Sequence, residues 1–138
     1  MPSPAAEAAP APARIPLLGA YVLNKANTFN LRGGPDGREK AGKDLLYLRD
    51  IMATGEEAEA VIMEDLNAMW ESDHSEQVDR DLRRALTHLE MVAPRYHPEA
   101  ARILATRESL DPAAANADVE GHMFDLIETL RNTASTTG

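Results

Sequence analysis

Apolar residues recur along this chain at spacings of three and four, and almost nowhere in the alternating pattern of a strand, which restricts it to packed helices. The clearest stripe, Ala58, Val61, Ile62, Leu66, Met69 and Trp70, predicts a helix over Glu56–Trp70 whose acidic first turn (Glu56, Glu57, Glu59) suits a helix N-terminus. A first helix is expected from Pro16 to Asn30 and a second from Arg38 to Ala53, separated by the turn formers Gly33-Gly34-Pro35-Asp36-Gly37. A fourth starts after Ser75, carries Val78, Leu82, Ala85, Leu86 and Leu89, and ends before Pro94. A fifth begins at Pro98. A sixth follows Asp111-Pro112 with Val119, Met123, Leu126, Ile127 and Leu130 on one face. The expected fold class is therefore all-α, a bundle of five or six short helices forming one domain over residues 15–132. Residues 1–14, rich in Ala and Pro, have nothing to bury and are expected to be a disordered lead-in, and residues 133–138 a frayed tail.

Composition narrows the chemistry. Phe29, Phe124, Tyr21, Tyr47, Tyr96 and Trp70 are the whole aromatic stock, so Leu, Ile, Val, Met and Ala must build the core. The absence of cysteine excludes disulfides, thiolate catalysis and cysteine-ligated zinc. No apolar run approaches the length that spans a bilayer, and the N-terminus lacks the basic flank and apolar stretch of a secretory signal. A cytoplasmic location is the default expectation, with no membrane partner.

The formal charge of −9 is unevenly spread. From Arg14 to Asp50 seven basic residues face four acidic ones, a net +3, whereas from Ile51 onward seven Arg face eighteen Asp and Glu, a net −11. A basic segment on an acidic body attracts a phosphate-bearing ligand locally and repels nucleic acid elsewhere, so a nucleic-acid partner is not expected.

Two charges fall on apolar faces. On the first helix Leu18, Tyr21, Val22 and Phe29 mark the stripe, and Lys25 lies within it, while Asn24, Asn27 and Asn30 fall on the side expected to face water. On the second, Ala41, Leu45, Leu48, Ile51 and Met52 define the inner face, with Asp44 at its edge and Lys43 pointing outward. A charge in such a place needs a counter-charge. Three arrangements satisfy that need: a buried Lys25–Asp44 pair that docks the two helices, a Lys25 that extends past its neighbours to solvent, or a cleft in which the lysine holds phosphate oxygens and the aspartate orients it.

The run Ile15-Pro16, Tyr21-Val22-Leu23-Asn24-Lys25, then Arg32, then Lys40-Ala41-Gly42-Lys43-Asp44-Leu45-Leu46-Tyr47-Leu48 resembles the helical second half of DNA polymerase β-like nucleotidyltransferases. It is most similar to a bacterial group that includes abortive-infection-type toxins. The resemblance covers about Ile15 to Ala53. It implies that Lys25 contacts nucleotide phosphates and that Asp44 completes the site, with Arg32, Lys40 and Arg49 as further phosphate-binding or electrostatic support. It also implies Mg²⁺ as the cofactor of the intact family, an NTP as ligand, and nucleotidyl transfer as the reaction.

That chemistry needs a Gly-Ser turn and aspartates on adjoining strands, because the metal must bridge carboxylates and phosphates. Before Ile15 stands only the Ala/Pro tract, with no Asp ahead of Asp36, so no metal-ligand set is expected in this sequence. The chain by itself is expected to be catalytically inactive, with a separately encoded catalytic half or another protein as partner. The alternative function is a non-catalytic helical interaction module in which the Lys25–Asp44 pair is purely structural.

Other signals lead less far. Gly33 to Gly37 lacks the Gly-Lys-Ser/Thr ending of a P-loop. His74, His88, His97 and His122 share no metal-ligand spacing and are expected at surface or cap positions. The alternating charges Asp79, Arg80, Asp81, Arg83 and Arg84 suit a solvated helix face. Trp70 is expected to be a packing anchor.

Overall fold

The computed structural model describes residues 17–31, 33–71 and 75–137. Among these there are six α-helices and no strand: α1 (Leu17–Thr28), α2 (Gly37–Met52), α3 (Glu56–Trp70), α4 (Ser75–Thr87), α5 (His97–Glu108) and α6 (Pro112–Thr137). The all-α bundle expected from the stripes is the fold. The disordered lead-in expected for residues 1–14 lies outside the described residues.

Helix ends follow local chemistry. Asp111 caps α6, its carboxylate accepting the backbone N–H groups of Ala113 and Ala114 at 2.9 and 3.1 Å, with Pro112 in the first turn where no donor is needed. Gly34 (φ +82°) and Gly55 (φ +97°) supply the left-handed conformations that turn the chain between α1 and α2 and between α2 and α3. At the end of α5 a serine, Ser109, takes that role at φ 56°, and the N–H of Leu110 returns to the carbonyl of Ala105 at 3.1 Å.

Helix α4 ends before Pro94, as expected. It widens into a π turn, His88–Val92, then tightens into a 3₁₀ turn, Ala93–Arg95. Proline has no N–H and its ring collides with the carbonyl four residues back, so a regular helix cannot continue through Pro94, and the wider turn absorbs the mismatch. Helix α6 departs from one expectation. It runs to Thr137, past the Thr133 at which fraying was expected, and Thr133 is fully buried with its hydroxyl donating to the Thr129 carbonyl at 2.8 Å.

Helix α6 packs against α2, α3, α4 and α5, while α1 lies on α3 and α4. Phe29, Leu45, Leu48, Ile62, Leu66, Leu82, Leu89, Leu104, Met123, Leu126 and Leu130 are fully buried at the centre. Two glycines allow the closest approaches. A Cβ on Gly42 would sit 2.9 Å from the Glu99 side chain and 3.1 Å from the Ala100 backbone nitrogen, so α2 and α5 meet backbone to backbone. A Cβ on Gly19 would lie 2.7 Å from Cβ of Asp65, and the Gly19 N–H donates to that carboxylate at 3.0 Å. The inward Asp65 of α3 thus serves the first turn of α1, whose N–H groups have no partner within their own helix.

Candidate functional site

Helices α1 and α2 are joined by the turn through Gly34, where the Gly37 N–H closes on the Gly34 carbonyl at 3.1 Å, and this chain reversal lets two residues 19 apart in sequence meet. Lys25 Nζ donates to Asp44 Oδ1 at 3.1 Å. Of the arrangements open from sequence, the paired one is what forms. Its two members differ in environment: the Asp44 side chain is 3% exposed and that of Lys25 18%. The lysine lies at the margin of the apolar stripe because the buried face of α1 is Val22, Leu23, Ala26 and Phe29, rotated away from Tyr21. Tyr21, expected within the stripe, is 39% exposed.

That exposed ring is part of the site. The Lys25 ammonium stands 5.7 Å from the ring centroid of Tyr21 and 5.7 Å from that of Tyr47, within reach of a cation–π contact to each. The two rings come from different helices and lie near the same charge. On the α2 side, Lys40, Lys43, Asp44 and Tyr47 line a depression of about 180 Å³; their positions at i, i+3, i+4 and i+7 put all four on one face of the helix. Lys43 is shared with Glu39 at 3.6 Å. The site therefore combines an ion pair, two solvent-facing lysines and two half-open aromatic rings.

The remaining expected site residues go elsewhere. Arg32 lies outside the described residues. Arg49 is not beside Lys25: it is 8% exposed and gives a two-pronged contact to Asp118 of α6, Nε to Oδ1 at 2.6 Å and Nη2 to Oδ2 at 3.0 Å, with Nη1 on Asp50 at 3.0 Å. Arg107 of α5 closes the network with two bonds to Asp50, both 2.9 Å. The hydrogen bonds to Asp118 raise the Arg49 pKa. In turn, Arg49 holds the Asp118 carboxyl below the usual carboxylate range, and Arg107 does the same for Asp50. Arg49 thus locks α2 to α6, and its guanidinium donors are already engaged by carboxylates. Position alone could have revealed this, since Leu45, Leu48, Arg49 and Met52 share one face.

The asparagine face of α1 also departs from expectation. Asn24 is exposed, but Asn27 turns toward α4, its Nδ2 donating to the Asp81 carbonyl at 3.0 Å. Among the histidines, His74 lies outside the described residues, and His122 Nδ1 lies 2.9 Å from the Asp118 carbonyl, to which it can only donate. His88 and His97 are not surface groups. His88 Nδ1 lies 3.2 Å from the Ala26 carbonyl with its ring edge-to-face on Phe29, and His97 is 9% exposed, its pKa lowered by burial. Trp70 is half-buried against the core, as a packing anchor should be.

Among the described residues no group of three or more His, Asp or Glu side chains is placed to hold a metal ion. Asp44, the one carboxylate lining the site depression, already accepts from Lys25. Among the described residues, the lining of this depression does not fit a Mg²⁺ ion. No helix among the described residues is long and apolar enough to cross a membrane. Comparison with family models, curated proteins and solved structures finds no match to this chain.

Proposed function

We propose that this chain is the helical, nucleotide-binding part of a nucleotidyltransferase-like protein, with Lys25 and Asp44 at the centre of its phosphate site and Lys40 at its rim. One observation carries the reading: Lys25 and Asp44, the two residues the resemblance singles out, come from separate helices and meet at 3.1 Å beside a lysine-lined depression. A lysine ammonium has three donors, and Asp44 accepts through one oxygen at hydrogen-bond distance. Asp44 orients the ammonium, which has further donors for phosphate oxygens. Lys40 and Lys43 add positive potential where the chain is locally basic.

Because the lining of the depression does not fit a metal, no bond-making step is assigned to this chain, and transfer falls to a metal-bearing companion. The direct test is calorimetric titration of ATP, GTP, CTP and UTP into the chain and into Lys25→Met. The reading expects saturable binding that Lys25→Met weakens at least tenfold, and unchanged binding in that variant would overturn it.

A second reading, a helical interaction module with a structural Lys25–Asp44 pair, is favoured by the ammonium's occupancy. Lys25 is already held by one carboxylate and two rings and is only 18% exposed at its side chain. In that case no nucleotide binds, and Lys25→Met with Asp44→Leu leaves folding and partner binding intact.

A further inference from the structure

We infer that the groove between the end of α3 and the start of α4 is a docking site for a basic protein segment, with an arginine or lysine side chain of that segment seated against Trp70 and paired with Glu71 and Glu76. The inference goes beyond the phosphate-site reading and is independent of it, since no residue of α1 or α2 takes part.

The groove measures about 860 Å³, with Trp70 and Glu71 lining it from the α3 side and Glu76, Asp79 and Arg80 from α4. That volume lies within the range of roughly 300 to 1,000 Å³ that encloses whole small ligands, so it admits a partner's long side chain together with part of its backbone. Trp70 is half-buried: it packs against the core and also lines the groove. Tryptophan attracts a cation more strongly than any other aromatic side chain, and a guanidinium stacks on it.

Charge selects the occupant. Asp79 is shared with Arg83 at 2.9 Å, and Arg80 donates to Gln77 at 2.9 Å. Glu71 and Glu76 are exposed and have no ion-pair partner among the described residues. Glu71 directly follows the last turn of α3, where carbonyls without helical partners give the helix end a partial negative charge. That turn contains no basic residue, so the negative end of α3 is left to a cation from outside. From Ile51 onward the chain carries a net −11, which steers a basic segment toward this part of the surface. A free polyamine would meet the same carboxylates, but its ammonium groups are compact and strongly hydrated and leave most of the groove unfilled. Arg80 opposes any cation in the groove, which fixes the sign of one further test.

The test uses the full chain at one low salt concentration and a fluorescein-labelled peptide of alternating arginine and glycine, read by anisotropy. An alternating glutamate–glycine peptide and spermine are the comparison probes. The arginine peptide should bind saturably and more tightly than either. Trp70 is the chain's only tryptophan, so the unlabelled arginine peptide should also change the tryptophan emission of the wild-type chain. Glu71→Lys with Glu76→Lys should weaken the peptide at least roughly tenfold. Glu56→Lys with Asp125→Lys makes the same change of net charge at exposed positions outside the groove and should weaken it far less. Arg80→Glu should tighten binding by up to roughly fivefold, the worth of one exposed pair. Equal losses in the two double variants, an unchanged tryptophan emission at saturation, or weaker binding by Arg80→Glu would show diffuse attraction to an acidic surface and overturn the docking site. Spermine binding as tightly as the arginine peptide would overturn the protein-segment assignment in favour of a small polycation. Absence of saturable peptide binding by the wild-type chain would overturn the inference without recourse to any variant, and would leave the phosphate-site reading untouched.

Discussion

Removing Lys25 should cost more stability than removing Asp44, although the two share one ion pair. The reason is their unequal burial, 18% exposure for the lysine side chain against 3% for the aspartate. In Lys25→Met the stem remains packed, but the Asp44 carboxylate, in a nearly dry site, loses the ammonium bonded to it. Breaking a buried pair in this way costs about 3–5 kcal/mol, and the lysine's partial exposure puts the value at about 3 kcal/mol. In Asp44→Leu the carboxylate is replaced by an apolar group of similar size on an apolar face. The stranded ammonium keeps its two ring contacts and can lean to solvent, so the cost falls to about 1–2 kcal/mol. The double variant should be no worse than about 1–2 kcal/mol, giving a coupling energy of about 2–4 kcal/mol. Urea denaturation followed by far-ultraviolet circular dichroism measures all four proteins, and a domain of this size tolerates such losses while remaining folded. Equal single-variant costs, or strictly additive ones, would show that the pair is exposed in solution and does not fix α1 against α2.

Three further outcomes follow from the packing. Gly19→Ala should destabilise by about 1–3 kcal/mol in the same assay, because the added methyl meets Asp65 Cβ at 2.7 Å and displaces α1 from its capping carboxylate, outweighing the roughly 1 kcal/mol that alanine gains in a helix. A stabilised Gly19→Ala would mean that α1 and α3 are farther apart. Ser109→Gly should stabilise by about 0.5–1 kcal/mol, seen as a raised Tm, since Ser109 holds φ 56°, where glycine is at no steric disadvantage. His97 is kept neutral by burial, so its folded pKa lies below the unfolded value of about 6.5. Its contribution is complete above that unfolded value and is lost as pH falls below it toward the folded pKa. Asp50 and Asp118, with folded pKa values held down by Arg107 and Arg49, add a second loss below about pH 4. His97→Leu should flatten the fall in unfolding free energy just below about pH 6.5 and leave the acid limb in place; an unchanged slope would remove His97 as its source.

Much of the fold was legible because it depends on period. The stripe of α3 set its bounds at Glu56 and Trp70, and the Asp111-Pro112 step set the start of α6. What could not be read was anything decided by two helices at once. The π turn at His88–Val92 follows from Pro94 only when Leu89 must also reach the core. The role of Gly19 depends on Asp65, 46 residues away, although Asp65 itself carried a visible sign, since it lies three residues after Ile62 on the buried stripe. For the candidate site, the inward placement of Lys25 and Asp44 was evident from the wheel, because a buried charge breaks an otherwise regular pattern. Tyr21 and Tyr47 gave no such sign. A tyrosine suits either side of a helix margin, and only the docking of α1 on α2 brings both rings to one ammonium. Arg49 illustrates the opposite error, since local basic charge suggested phosphate while its face pointed to the core and Asp118.

The central claim is that an anionic ligand binds where α1 and α2 meet, and nuclear magnetic resonance of the labelled chain titrated with ATP addresses it residue by residue. The account predicts saturable shift changes concentrated at Tyr21, Lys25, Lys40, Lys43, Asp44 and Tyr47, with little change at Arg49 or Asp118. Changes centred elsewhere, for example on the groove of about 860 Å³ beside Trp70 and Arg80, or none at millimolar ATP, would contradict it.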